Sequence, residues 1–361
     1  MEGLITSEQV IFADAVKRFA AQEYGTGPAP HGLAFDPARL QRLAGMGCLS
    51  LAIPEAMGGF GGPLEAMVAM TALGPALPPE PVVASGIHAA CLIAAAAAPD
   101  LAQRLLAGIA EGSIVAVVAD IETDGRYDRS CPGTTARAVD GSFVLDGAKS
   151  TVPFGDIADV VVVSAMLDGG VALFAVEGNV AGLTRNPVRR LDGLAAADLA
   201  FSAMQLPASA RLGAGAATAA LERAADLAIA AQIAEMLGLM EALIAATVDY
   251  ARTRRQFGVA IGSFQALQHR IADMWIACEE TRSMAVAAAY ACSEDTARTR
   301  TISAAMLTAC DAARKVGADA IQIHGGIGMT DELIVGHWYR RLWALSQELG
   351  DRRSHLARLT A

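Results

Sequence analysis

Aromatic residues are scarce in this chain. Only 5% of its 361 residues are Phe, Trp or Tyr, although 53% are apolar. Ala, Leu, Val and Ile must fill the interior, which favours closely packed helices over an aromatic-rich β-sandwich. Positive charge is short as well. The 28 Lys and Arg stand against 38 Asp and Glu, for a net charge of -10 and a pI near 5.1, which argues against nucleic acid as a partner. The six cysteines (48, 91, 131, 278, 292 and 310) form no Cys-x-x-Cys and have no His at metal spacing. That excludes a structural zinc and points to a reducing compartment. No long apolar run is present: Ala89 to Ala98 is about half of a membrane span. The opening residues lack the basic region and apolar stretch of a secretion signal. The expectation is a soluble, cytoplasmic protein with no metal, membrane or nucleic-acid partner.

What is present changes in texture along the chain. Thr6 and Gln9 have capping-box spacing, and Val10, Ala13, Val16 and Phe19 follow near one helical face. A loop rich in Gly and Pro spans 25–37, and a short helix is expected over Pro37–Met46. Gly58-Gly-Phe-Gly-Gly-Pro63 looks like a phosphate cradle but has no Lys-Ser/Thr sequel, so it reads as a connector. Helices continue to about 111, broken by Pro75, Pro78, Pro79 and Pro81. From Ile114 the pattern turns to short β-branched or alternating segments: 114–119, 134–139, 143–145, 160–164, 171–176 and 199–206. Asp-Gly turns at 140, 146 and 168 separate several of them. Residues 213–217 read as a flexible joint. Four long helices are then expected: 219–250, apolar nearly all round and so buried, 264–293, 296–323 and 337–359. The expected class is α+β, with an N-terminal helical domain (1–112), a middle antiparallel β domain (113–210) and a C-terminal four-helix bundle (211–361).

Chemistry concentrates at Arg252-Thr-Arg-Arg-Gln-Phe-Gly258 and the following Gly262-Ser-Phe-Gln265. This reads as a helix end, a turn bracketed by Gly258 and Gly262, and a new helix that Ser263 can cap. Beyond it, Phe264, Leu267, Ile271, Met274, Trp275 and Cys278 keep helical spacing and define an apolar face. A guanidinium there can bind a diphosphate bidentately, with Phe257 stacking on a base or flavin. A solvated basic helix terminus gives the same pattern.

The order of the three regions, with Arg254-Arg-Gln-Phe-Gly258, Phe264-Gln-Ala-Leu-Gln-His269 and Gln322-Ile-His-Gly-Gly-Ile-Gly328, resembles the acyl-CoA dehydrogenase family over the whole chain. The resemblance implies FAD bound across a subunit boundary and α,β-desaturation of an acyl-CoA thioester. One chain's bundle supplies the diphosphate and adenosine side of FAD, matching Arg254, Gln256, Phe257, Phe264 and Gln265, then Gln322, Ile323, Gly325 and Gly326. It also implies electron transfer flavoprotein as acceptor.

Elsewhere the chain departs from the family pattern. Typical members read Thr-Glu-Pro-Gly-x-Gly-Ser-Asp where this chain has Ile121-Glu-Thr-Asp-Gly-Arg-Tyr-Asp128, so Ile121 replaces a hydroxyl that would bond the flavin ring. The Trp-Ile-Thr after a lysine is Thr151-Val152-Pro153. The usual glutamate base before a glycine is Leu349, with Glu348 beside it. Some relatives carry the base in the first bundle helix, where Ala228 stands, with Asp226 and Glu235 near it. Glu348 and Asp226 are the candidate catalytic carboxylates. Asp226 and Glu235 also read as buried, satisfied carboxylates, and His269, His324 and His337 as structural or nucleotide-adjacent. Three assemblies fit the split pattern: a small subunit lending its corner to FAD on a larger dehydrogenase chain in a heterotetramer, a silent scaffold, and an active homotetramer with a relocated base.

Overall fold

A computed structural model describes residues 5–25, 34–213, 215, 217–293 and 297–360. The loop at 25–37 lies largely outside the described residues, as do positions 214 and 216 of the joint at 213–217 and the expected start of a helix at 296. The described residues fall into two compact units. One is drawn from Met1–Leu33, Pro63–Pro78 and Ile229–Ala361, the other from Ala34–Gly62 and Pro79–Ala228.

The first unit is helical. Helix α1 (Ser7–Tyr24) begins at the expected capping box: Gln9 N–H donates to Thr6 Oγ1 at 3.2 Å, and Thr6 N–H donates to Gln9 Oε1 at 2.8 Å. The unit also holds α3 (Pro63–Leu73), most of α6 (Ala217–Thr253), α7 (Gln265–Ser293), α8 (Arg298–His324), α9 (Ile334–Glu348) and α10 (Arg352–Thr360). As its all-round apolar pattern requires, α6 is buried, with Ile229, Ile233, Met236, Leu239, Met240 and Leu243 fully inside. Two small residues let neighbours approach it. A Cβ at Gly238 would collide with the Thr71 carbonyl oxygen, and one at Gly74 would sit 2.9 Å from Glu235 Cγ.

The expected single helix over 337–359 is two. It breaks at Leu349–Asp351, where the Asp351 carboxylate accepts the Ser354 N–H at 2.8 Å and so starts α10. Gly350 is required at the break, since a Cβ there would lie 2.5 Å from His355 Nε2.

The second unit is built on a seven-stranded sheet. Its strands are β1 (Ala116–Ala119), β2 (Thr135–Val139), β3 (Ser142–Pro153), β4 (Val160–Leu167), β5 (Gly170–Glu177), β6 (Leu183–Arg189) and β7 (Ala195–Pro207). The order is β1-β4-β2-β3-β7-β6, with β5 on β4. Most ladders are antiparallel as expected, but β1 runs parallel to β4 and β2 touches β4 in parallel, so the sheet is mixed. Two features escape the sequence pattern. Strand β6 carries Pro187, Arg185 and Arg189 and reads as loop, yet it is an edge strand, where a missing N–H is tolerated. Strand β3 runs on to Pro153 through two bulges. Beside the sheet lie α2 (Pro37–Gly45), α4 (Ala90–Ala96), α5 (Pro99–Ala110) and a π-helical segment, Val82–Ala89, whose Ser85 Oγ accepts the Ala116 N–H of β1. The Gly58–Pro63 stretch is a connector between Glu55–Met57 and α3.

Candidate functional site

The Arg-rich corner is more ordered than a plain turn. After α6 ends at Thr253, Arg255–Gln256 (β8) pairs antiparallel with Val259–Ala260 (β9), making a hairpin. Its two-residue tip is Phe257 (φ +53°) and Gly258 (φ +84°), the double positive φ that matches strand twist. Glycine or Asn normally fills such positions; a Phe there carries strain of about 1–2 kcal/mol. Its ring gains little within the chain: it is 91% exposed and, among the described residues, its ring contact is Phe264, edge-on at 6.2 Å. Arg254, Arg255, Gln256 and Gln265 are exposed beside it. Ser263 does not cap α7: its hydroxyl donates to the Ala260 carbonyl at 2.7 Å, within the turn Ile261–Ser263.

The second motif closes α8. Gln322, Gly325 and Gly326 are exposed, while Ile323 and His324 turn inward. Gly325 (φ +67°) ends the helix, and a Cβ at either glycine would meet nothing of this chain within 4 Å. The space over both glycines is open.

A residue that sequence reasoning passed over joins the two motifs. Tyr250, one turn before Arg254, stacks on His324 with ring centroids 4.5 Å apart and planes 28° off parallel. Its hydroxyl reaches the His324 carbonyl at 3.4 Å, and its own carbonyl accepts the Arg254 N–H at 2.8 Å. Burial holds the His324 imidazole below the usual histidine range, partly offset by its 2.8 Å contact with the Ala320 carbonyl. The stacked ring is therefore neutral. The only signal in the sequence is the four-residue offset of Tyr250 from Arg254, which is a helical turn.

These corners fit a dinucleotide. They offer guanidinium and amide donors, an unpacked aromatic ring and glycines whose backbone can be approached closely.

The β-sheet unit is arranged differently at the positions that the family resemblance assigns to the ring side. Glu122 is a hub: its carboxylate accepts from Gly133 N–H (2.6 Å), Thr134 N–H (3.0 Å), Thr134 Oγ1 (2.7 Å) and Lys149 Nζ (2.6 Å). Lys149 is fully buried and also reaches Ser164 Oγ at 3.0 Å. Burial raises the Glu122 pKa, but the Lys149 and Thr134 hydrogen bonds outweigh it, and the carboxyl titrates below its ordinary range. Next to it Asp120 and Arg129 form a second buried ion pair. Asp226, fully buried, adds its field to that of Glu222 on Arg129.

Along the adjoining strand the backbone donors are already used. Ser150 N–H goes to the Ile121 carbonyl (2.9 Å), Thr151 N–H to Asp198 Oδ1 (2.7 Å), Phe154 N–H to the Ala195 carbonyl (2.9 Å) and Gly155 N–H to the Val152 carbonyl (3.0 Å). Pro153 has none to give. Thr151 sits in a bulge at φ +48°, an outlier for a β-branched residue. A flavin ring, whose oxygens and N5 accept hydrogen bonds, finds few donors on this edge, so these residues do not fit it.

The candidate carboxylates are also engaged. Glu348 ends α9 and accepts from Gln232 Nε2 at 2.9 Å, with Arg341 Nη1 3.7 Å from its other oxygen. Glu235 holds Arg341 bidentately at 2.6 and 3.0 Å and is the buried, satisfied carboxylate its setting suggested. Leu349, at the usual base position, is buried. His337 and its neighbour Arg340 contact Asp331, and His269 is exposed.

Comparison with known proteins fixes the class. Residues 6–113 match the family model "Acyl-CoA dehydrogenase, N-terminal domain", and residues 215–358 match "Acyl-CoA dehydrogenase, C-terminal domain". The chain is 32% identical to acyl-CoA dehydrogenase IpdE2 of Mycobacterium tuberculosis, covering 87% of this chain and 82% of that protein. It is 28% identical to acyl-CoA dehydrogenase FadE27 of the same organism, covering 90% and 87%. Among solved structures it is similar to a chain of the ChsE4-ChsE5 complex from Mycobacterium tuberculosis, with a TM-score of 0.89, 26% identity, and coverage of 99% and 97%. The chain belongs to the acyl-CoA dehydrogenase family, whose members are FAD-dependent oxidoreductases acting on CH–CH bonds.

Proposed function

We propose that this chain is the small subunit of a two-component acyl-CoA dehydrogenase. It lends Arg254, Gln256, Phe257, Phe264, Gln265 and Gln322–Gly326 to the diphosphate and adenosine side of FAD held by a larger partner chain. The observation that carries this reading is the asymmetry within one polypeptide. Its outward corners are open and donor-rich, while the donors of its ring-side edge are largely consumed by its own backbone and Asp198. A heteromeric ChsE4-ChsE5 complex among its structural relatives supports the same reading.

FAD, when bound, supplies a hydride acceptor for desaturation of the thioester. The residues of this chain bind and orient it. Glu348 and Asp226 are not the base in this reading: Glu348 is held by Gln232, and Asp226 is buried beside Arg129.

The finer likeness is to the small subunit of pimeloyl-CoA dehydrogenase. It rests on Arg126-Tyr-Asp128, Gly262-Ser-Phe-Gln-Ala-Leu-Gln-His-Arg270, His324-Gly-Gly-Ile-Gly-Met-Thr-Asp-Glu-Leu333, Gly350-Asp351 and the tail from His355 to Leu359. It points to a dicarboxylic or long acyl chain as substrate, with a steroid side chain or other bulky acyl group equally open; the family resemblance implies electron transfer flavoprotein as acceptor, and the cytoplasm is the proposed location.

The test is purification of the chain alone and with the partner it retains, measuring flavin absorbance and enoyl-CoA formation. The reading expects both only from the pair. Full flavin occupancy and turnover by the chain alone overturns it in favour of an active homo-oligomer. A partner flavin that is indifferent to Arg254→Ala reduces the chain to a silent scaffold.

A further inference from the structure

Three helices of the first unit, α8, α9 and α10, line a pocket of about 110 Å³ that neither corner motif uses. One side of it is the Tyr339 ring, set so close to α8 that a Cβ at Gly317 would collide with it. A glycine in mid-helix costs helix stability, and here it is what lets the ring approach the backbone. Ala313 and Leu342 are buried beside the ring, and Trp343, 47% exposed, forms the outer wall.

The charges at this pocket do not balance. Arg314 and Arg352 both donate to Asp311 Oδ1, at 3.2 and 2.7 Å. One carboxylate thus serves two guanidiniums, an excess of one positive charge on a chain whose net charge is -10. Both guanidinium side chains are more than half exposed, and their other nitrogens donate to no further group among the described residues. Such donors suit a carboxylate. A metal ion is offered no thiolate: burial and Asp311 push the Cys310 thiol up to about 11, against the opposing pull of the two arginines. Size narrows the ligand further. A cavity of about 150 Å³ holds one benzene ring, so 110 Å³ open to solvent on one side takes a single ring with its polar group left at the mouth.

We propose that this pocket binds a small carboxylate carrying one flat apolar ring, the ring against Tyr339 and Trp343 and the carboxylate on Arg314 and Arg352. The site is the same whichever assembly holds the flavin. Cys310 stands twelve residues before Gln322 on α8, about 18 Å along the axis.

The test is isothermal titration calorimetry of the protein as purified, with benzoate as the probe. Benzoate should bind with a Kd of about 1 mM or lower. Benzamide keeps the shape without the charge, and acetate keeps the charge without the ring; each should bind at least about tenfold more weakly. Arg352→Gln should weaken benzoate by about tenfold, and Arg352→Lys by less. Trp343→Ala should weaken it as well. Both side chains are exposed, so an unchanged melting temperature verifies folding. Arg254→Ala, at the dinucleotide corner, should leave benzoate affinity unchanged. Absence of binding at about 10 mM benzoate, benzamide or acetate binding as tightly as benzoate, or an affinity untouched by both Arg352→Gln and Trp343→Ala overturns the proposal. Loss of benzoate binding in Arg254→Ala also overturns it, because that places the carboxylate at the corner. None of these outcomes bears on the two-component reading, which flavin and turnover of the separated chains decide.

Discussion

Replacing Glu122 by Gln tests how the sheet unit is held together. Four donors converge on this carboxylate, one of them from Lys149, whose side chain is wholly buried. The amide keeps the shape but loses the charge, and its NH2 group must face at least one of these donors. Breaking a buried pair by removing one partner costs about 3–5 kcal/mol. Glu122 keeps 13% side-chain exposure, so the lower end, about 3 kcal/mol, is expected. Lys149→Met removes the cation but leaves Glu122 its Gly133 and Thr134 donors, and should cost about 1–2 kcal/mol. The double variant should cost less than the sum by at least about 1 kcal/mol, because the buried ammonium is no longer stranded. Urea melts followed by far-UV circular dichroism read these differences. A Glu122→Gln variant within about 0.5 kcal/mol of the parent would falsify the view that this ion pair organises the 121–134 loop.

Three further outcomes follow from the geometry. Thr151→Gly should stabilise the chain by about 0.5–1 kcal/mol, since it relieves a left-handed β-branched residue at more than the entropic cost of glycine; thermal melting checks it, and a loss of stability contradicts it. Phe257→Gly should leave the isolated chain as stable or slightly more so, yet lower flavin content of the pair; unchanged flavin would show that the exposed ring has no ligand to cover. His324 titrates below its ordinary range in the folded chain, so the unfolded state takes up protons first as pH falls. Stability should therefore decline from about pH 6.5 downward, and His324→Asn should flatten that part of the profile.

Sequence and structure agree where a single rule governs. The capping box at Thr6, the β-branched strands β4 and β5, and the all-round apolar α6 follow from local chemistry and period. They part where a distant group decides. Strand β6 is made by its ladder to β7 and not by its own residues, among them Pro187. The break at Gly350 depends on His355 filling the space that a side chain would need. Lys149 and Glu122 are ordinary surface types until the fold buries one on the other. The corner motifs were legible because Arg, Gln, Phe and Gly are unusual company at a helix end. Tyr250 was not, since a tyrosine in an apolar helix looks like core until its stacking on His324 is seen. The apolar stripe on α7 is legible from its period, but the period does not say how far it is covered: Met274 and Cys278 are buried while Phe264 and Trp275 are exposed.

The most direct measurement is a cryo-EM map of the assembly purified from its own cells, with flavin counted spectroscopically against chains. The account expects one FAD per pair of unlike chains, its adenosine and diphosphate against Arg254, Phe257 and Gly325–Gly326 of this chain and its ring in the partner. One FAD for every copy of this chain, with the ring against Ile121 and Thr151, or corners that face solvent far from any dinucleotide, would contradict it.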